Sequence, residues 1–367
     1  MKKYHLAVIP GDGIGPEVIE ESVGTLTELA TVDGGFQFDI ERFDWGTEHY
    51  LRTGAMMPAD GLSVLEKGGF DGILLGPVGD PRVADHITLW GLILPLRQAF
   101  EQYVNLRPSR LLPGVRSPLA GRRPQDIDIV CVRENTEGEY AGVGGRVHQG
   151  TEDEVAIQSI VFTRKGTERI IRYAFEHARK YGRKKVTSAT KSNSMQYNMV
   201  FWDDVFRQVA AEYPEIKNEQ QLIDSLTARF VSRPESLDVV VASNLFGDIL
   251  TDLGAAISGS MGLAPSANLN PERRYPSLFQ AIHGSAPDIV GQGIANPLAS
   301  IWSGQLLLDF LGEQEAADVL MRSIEDVLAE GQVRTPDLGG TAMTKQMGQA
   351  VREQVRRLVD TKKKIEG

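Results

Sequence analysis

His5-Leu-Ala-Val-Ile-Pro-Gly-Asp-Gly-Ile-Gly-Pro-Glu17 carries the first decision about the fold. His5–Ile9 is short and apolar, the pattern of a buried strand. Gly11-Asp-Gly-Ile-Gly15 then turns the chain. Pro16 suits the first turn of a helix that runs on through Glu17-Val-Ile-Glu-Glu21. A strand, a glycine turn and a helix in this order make the repeating unit of an α/β protein. The turn invites a dinucleotide-binding reading, but its spacing is G-x-G-x-G rather than G-x-G-x-x-G, so that fingerprint fails. A tight turn at a strand end is the reading that remains.

Further along, strands are expected at Phe36–Phe43, Gly72–Leu75, Ile127–Val132, Lys185–Ala189 and Asp238–Ser243, the last running straight into a helix. Gly166–Tyr181 has the spacing of an amphipathic helix. Val155–Thr163, preceded by the glycine-rich Gly142-Val-Gly-Gly-Arg146, reads as part of a hairpin arm. From Asn296 onward the chain is mostly helical in pattern. The alternation of strands and helices favours an α/β fold with a largely parallel sheet.

The 367 residues suggest about two domains. With 41% hydrophobic and 24% charged residues, an ordinary globular core is expected. The net charge of -10 argues against a general nucleic-acid binder, though not against a local basic pocket. Cys131 is the sole cysteine, so a disulfide scaffold is excluded; inside Asp128–Arg133 it reads as a small buried hydrophobe. Neither a signal peptide nor a membrane-length apolar run is evident, so a soluble cytoplasmic protein is expected, with neither nucleic acid nor membrane as partner.

Several residues carry candidate chemistry. Asp248 and Asp252 are four apart and share one helix face. Two readings stand: a dipole-favoured and a solvated carboxylate, or an oxygen-donor pair for magnesium or manganese. The helix follows an apolar strand, which places its start where ligands of open α/β sheets bind. Arg97, Arg107 and Arg133 lie near strand or turn ends, and a guanidinium can grip both oxygens of a carboxylate. Surface ion pairing explains each taken singly, except Arg133, which terminates an apolar strand. Tyr140 and Lys191 have the types needed to share acid and base work, and equally those of a hydrogen-bonded tyrosine and a surface lysine. His283, Gly284, Ser285, Ala286 and Asp288 form a segment of small residues open to close backbone approach, with a carboxylate suited to ribose hydroxyls.

Together these segments resemble the β-decarboxylating dehydrogenases, the family of isocitrate and isopropylmalate dehydrogenases. The likeness spans nearly the whole chain and rests on Asn105-Leu-Arg-Pro108, Arg133–Tyr140, Asn244–Leu253, His283–Ile289 and Ile294-Ala-Asn-Pro297. Met56-Met-Pro58, Asp85–Trp90 and Gly262–Glu272 look most like the tartrate dehydrogenase/decarboxylase and D-malate dehydrogenase branch. The resemblance implies the isopropylmalate-dehydrogenase-like α/β fold, which lacks the Rossmann glycine fingerprint. A large domain of residues 1–102 plus 259–367 would carry the cofactor segments. A small domain of residues 103–258 would carry the metal and substrate residues and a dimer arm.

The same resemblance implies roles. Arg97, Arg107 and Arg133 would bind substrate carboxylates. Asp248 and Asp252, with Asp224 of the partner subunit, would hold Mn²⁺ or Mg²⁺; a monovalent cation such as K⁺ is left open. Lys191, also of the partner subunit, would assist removal of the hydroxyl proton, and Tyr140 would protonate the enol left by decarboxylation. His283, Gly284, Ser285, Ala286, Asp288 and Asn296 would bind NAD, with Asp288 repelling the 2′-phosphate of NADP. Trp90, with Leu92, Ile93 and Leu94, would wall the pocket against large substrates, His86 and Thr88 being lesser candidates. The expected activity is NAD- and metal-dependent oxidation of D-malate or tartrate by a homodimer with shared sites, D-malate going on to pyruvate and CO₂. The alternatives are a 3-isopropylmalate dehydrogenase and a non-catalytic dicarboxylate-binding protein.

Overall fold

The computed structural model describes residues 1–366. It divides into two compact units, residues 1–102, 110–124 and 255–367 in the first and 103–109 and 125–254 in the second. Residues 110–124, expected with the middle segment, cluster with the first unit.

Strands are numbered β1 to β12 in chain order. The first unit holds β1 (Lys2–Ile9), β2 (Phe36–Arg42), β3 (Gly72–Leu75), β11 (Pro265–Leu269) and β12 (Leu278–Ala281). Their spatial order is β2-β1-β3-β12-β11, parallel except for the β11–β12 pair. The helix Gly15–Asp33 follows the first glycine turn, with Pro16 in its first turn as expected. Gly11, Gly13 and Asp12 explain that turn. Both glycines have positive φ, and a Cβ on Gly13 would come within 2.1 Å of the Ser285 carbonyl oxygen. The Asp12 carboxylate accepts from the Thr47 amide and hydroxyl and from the Gly79 amide, pinning the turn to two neighbouring loops. The turn is therefore a structural joint, and its contact with Ser285 braces the segment expected to bind the cofactor.

The second unit holds β4 (Val104–Arg110), β5 (Asp128–Glu134), β8 (Lys185–Thr190), β9 (Lys217–Leu222) and β10 (Val239–Ala242), in the order β4-β5-β10-β8-β9. The β5–β10, β10–β8 and β8–β9 pairs are parallel. The arm is a separate antiparallel hairpin of β6 (Gly138–Val147) and β7 (Val155–Val161). Cys131 lies buried in β5, where desolvation pushes its thiol up to about 12; it is inert, as the apolar run suggested.

One expectation needs correction. Leu92, Ile93 and Leu94 do not form an exposed apolar wall; all three are buried in the first unit's interior, where Leu92 and Ile93 pack with Met56, Leu65 and Leu96. The chain passes through a π-helical turn at Leu89–Ile93, which leaves Leu89 and Trp90 facing outward. A Cβ on Gly91 would press within 2.5 Å of Met56, so this turn depends on glycine to pack so closely.

Candidate active site

In the second unit the ends of β5 and β10 lie side by side, with Arg133 paired to Ala242 in register. The chain leaves β10 directly into the helix Asn244–Ile257, called here the aspartate helix. Arg133 therefore meets the first turn of that helix. Its Nε and Nη2 donate to Asn244 Oδ1 at 3.1 and 2.7 Å, and its Nη1 donates to Asp248 Oδ1. Gly247 makes room for this: a Cβ there would fall 2.6 Å from the Arg133 side chain. Arg107, from β4, reaches the same oxygen, with Nη1 3.1 Å from Asp248 Oδ1 and 2.7 Å from Thr251 Oγ1.

The cluster is electrostatically tight. Both arginines are buried. Burial, and then repulsion from Arg133, hold the Arg107 guanidinium down to about 10, while the two aspartates oppose that shift. It stays charged at neutral pH. Tyr140 donates to Asp248 Oδ2 at 3.3 Å, and its ring lies beside the Arg133 guanidinium. Burial and the Asp248 charge hold the Tyr140 hydroxyl above its ordinary value. Asp252, one turn on, is an exposed residue, but partial desolvation of its carboxyl and then the neighbouring Asp248 charge raise it above the usual carboxylate range.

Lys191 and Asp224 make a pair of their own, Nζ to Oδ1 at 2.6 Å, just beyond β8 and in the first turn of the helix Ile223–Ser232. Among the described residues, no three acidic, histidine or cysteine side chains of one chain converge as a metal site would need. Asp248 and Asp252 are therefore not joined within one chain by a third such side chain among the described residues.

The remaining candidates belong to the first unit. Arg97 is buried and Trp90 exposed. A cavity of about 400 Å³ is lined by His283, Gly284, Ala286 and Asn296, together with Ile14, Met261, Ile294 and Pro336. Ser285 turns its carbonyl to the Ile14 amide, and Asp288 is exposed beside the cavity. His283 Nε2 is buried without a partner among the described residues, and desolvation lowers the ring's pKa, so the ring is neutral at physiological pH. Asn296 is held at both ends of its amide, donating to Asp337 and accepting from the Leu298 amide. Ala286 adopts φ 44, a left-handed conformation rare for alanine.

Sequence reasoning missed Asn244, Gly247 and Thr251 as parts of the charged cluster, although all three lie inside the motif that named the aspartates. It also missed Ser260, Met261, Pro336 and Asp337 at the cavity, where the sequence carries no signal to find them.

Known proteins resemble this chain along nearly its whole length. Residues 5–351 match the isocitrate/isopropylmalate dehydrogenase family. The chain is 54% identical over 358 residues to a D-malate dehydrogenase [decarboxylating] of Escherichia coli, covering 96% of this chain and 98% of that one. It is 52% identical over 363 residues to a tartrate dehydrogenase/decarboxylase of Pseudomonas putida, covering 97% and 98%. A crystal structure of isocitrate dehydrogenase from Methylococcus capsulatus superposes with a TM-score of 0.85 at 36% identity, covering 97% of this chain and all of that one.

Proposed function

The chain belongs to the isocitrate/isopropylmalate dehydrogenase family, and we propose that it is a decarboxylating dehydrogenase that oxidises D-malate or tartrate with NAD and a divalent metal. D-malate would be carried on to pyruvate and CO₂. The observation that carries the reading is the meeting of buried Arg107 and Arg133 with half-buried Tyr140 and Asp248 in one cluster, with Asp252 one helical turn away. The names of the similar enzymes from Escherichia coli and Pseudomonas putida support the substrate class.

The residues present fit both implied groups. Asp248 and Asp252 offer only oxygen donors, which suits Mn²⁺ or Mg²⁺. Desolvation and then the Asp248 charge raise the Asp252 carboxyl, and a cation between the two carboxylates would offset the second of these. The metal, when bound, stabilises negative charge on the substrate's C2 oxygen. The apolar walls of the first unit's cavity and the unpartnered His283 nitrogen suit a nucleotide base. NAD, held there, would supply the hydride acceptor.

The chain's own side chains do the rest. Arg107 and Arg133 fix the carboxylates and so orient C2. Lys191 of the partner subunit assists removal of the hydroxyl proton, and Asp224 of the partner subunit completes the donor set. Tyr140 returns a proton to C3, where the carboxyl was lost. A homodimer agrees with the incomplete aspartate pair. It also agrees with the exposed Val143, Val147, Val155 and Ile157 of the hairpin arm, an apolar surface suited to a second copy.

The test is a substrate panel with purified protein, Mn²⁺ and either NAD⁺ or NADP⁺. D-malate or tartrate with NAD⁺ should be turned over fastest. Faster reduction with 3-isopropylmalate would remove the substrate assignment.

A further inference from the structure

Glu139 is buried in β6, next to Tyr140, and no step of the proposed reaction uses it. Both of its carboxylate oxygens are engaged at the start of the aspartate helix. Ser243 Oγ donates to Oε1 at 2.9 Å, and the Leu245 amide donates to Oε2 at 3.0 Å. The first N–H groups of a helix have no partner within it, and a side chain just before the helix commonly supplies one. Here the partner comes from a different strand, more than a hundred residues earlier in the chain.

A second stitch runs beside the first. Asn244 Nδ2 donates to the Glu137 carbonyl at 3.1 Å. Between them Gly138, at φ 74, brings its backbone against the helix start; a Cβ there would lie 3.4 Å from that of Asn244. On the other side, Gln158 of β7 donates to the Glu139 carbonyl at 3.1 Å. Asn244 and Asp248 in turn hold Arg133, and Asp248 accepts from Tyr140. The strand that carries Tyr140 and the helix that carries the carboxylates are thus joined through the buried Glu139 carboxylate, with the Asn244–Glu137 bond beside it.

We propose that Glu139 is a positioning residue: by capping the aspartate helix from the strand that bears Tyr140, it fixes the hydroxyl against Asp248. The inference rests on the reading of Tyr140 as the proton donor. Glu139 reaches Ser243 and Leu245 at the helix start and Tyr140 reaches Asp248 one turn on, so one short segment can anchor through Glu139 and react through Tyr140. Glutamine keeps the shape at this position but loses an acceptor. Its amide nitrogen would face either the Leu245 N–H, donor against donor, or the Ser243 hydroxyl, which must then turn round to accept; either way the negative charge at the helix start is lost.

The test compares wild type, Glu139→Gln, Tyr140→Phe and the double variant. Glu139→Gln should lower kcat for D-malate about a hundredfold, the scale of a small misplacement of a reacting group. Its KM should change little, because the arginines are untouched. In the Tyr140→Phe background the same substitution should cost nothing further. Multiplying effects in the double variant would overturn the proposal, as would unchanged kcat in Glu139→Gln. A second readout needs neither metal nor cofactor. Hydrogen–deuterium exchange of the bare protein should quicken together at Leu245–Gly247 and at Tyr140 in Glu139→Gln. Protection unchanged at either segment would also overturn it. Ser243→Ala removes one of the two bonds and should shift both readouts less, in the same direction; it serves if Glu139→Gln does not fold. A wild type that ignores D-malate would instead remove the proposed function, leaving the exchange experiment to decide on Glu139.

Discussion

In the second unit the candidate site is made of charges that neutralise one another. Arg107 and Arg133 are buried, and Asp248 answers both. In the first unit the candidate site is a cavity with apolar walls, small residues and a neutral histidine. The difference follows from what each has to recognise. Carboxylates and a cation need fixed opposite charges, which proteins tolerate in the interior only when paired and hydrogen-bonded. A base and a ribose need shape, backbone groups and few charges. The two sites should therefore fail in different ways when altered.

The largest failure is expected at the aspartates. Asp252→Asn keeps the shape and the fold and removes one donor charge. If the pair holds the metal, kcat/KM for D-malate should fall on the order of a thousandfold or more, the several kcal/mol that a Lewis acid supplies. Wild-type turnover and Mn²⁺ affinity in that variant would dissolve the contrast, leaving the cluster a structural ion network. Asp248→Ala differs in kind, because it strands two buried guanidinium groups. It should also lower the unfolding free energy, by about 3 kcal/mol given the partial exposure of Asp248.

Burial of charge in the second unit has a further consequence, at Glu134. This carboxyl is fully buried at the end of β5, and desolvation pushes it up to about 7 against the pull of the Thr136 and Glu137 amides. The folded state then holds a proton that the unfolded state has released, so stability falls as pH rises from the ordinary glutamate range to about 7 and is level above it. The ceiling of that loss is about 3 kcal/mol. Urea midpoints of wild type and Glu134→Gln at pH 5 and pH 8 would test this. The difference between them isolates Glu134, because the acid sensitivity of buried His177 is common to both. A pH-independent difference would show that the amides win.

The first unit should respond through selectivity. Asp288 is exposed beside the cavity, where a 2′-phosphate would meet its charge. NAD⁺ should be preferred to NADP⁺ about a hundredfold in kcat/KM, equivalent to ~3 kcal/mol. Asp288→Lys should narrow that ratio at least about tenfold while leaving Mn²⁺ affinity alone. A ratio that did not move would place the ribose elsewhere.

The same contrast governs what the sequence disclosed. Charged residues in regular spacing are readable: Asp248 and Asp252 one turn apart, and Arg133 ending an apolar strand. The family likeness then gathered them. Packing is less readable. Leu92, Ile93 and Leu94 look like a pocket wall in linear sequence, but the π-helical turn around Gly91 rotates them into the interior. Pairing alone identifies β9, whose Lys217-Asn-Glu-Gln-Gln-Leu222 has no apolar alternation and joins only β8. β11 begins at a proline and β12 has four residues, too few to show a period. Asp337 at the cavity is joined to Asn296 by a bond 41 residues long in sequence, which no local pattern reports.

The smallest expected effect tests the comparison most directly. In the bare chain Asp248 Oδ1 already accepts from Arg107 and Arg133. A metal at Asp248 competes for that oxygen and leaves two buried arginines short of negative charge. A dicarboxylate on the arginines competes for them and leaves Asp248 short of positive charge. Each ligand alone breaks a pairing that the other restores, so the two should bind with positive coupling. By linkage the gain is reciprocal. About tenfold is expected, within the usual range for coupled sites. Mn²⁺ titrations with and without D-malate, in the absence of NAD⁺ so that nothing turns over, measure it. AMP in place of D-malate is the internal control. None of the cluster's four charged residues is among those lining its cavity in the first unit, so AMP should leave the Mn²⁺ affinity where it was. Coupling by AMP and none by D-malate would reverse the roles assigned to the two sites.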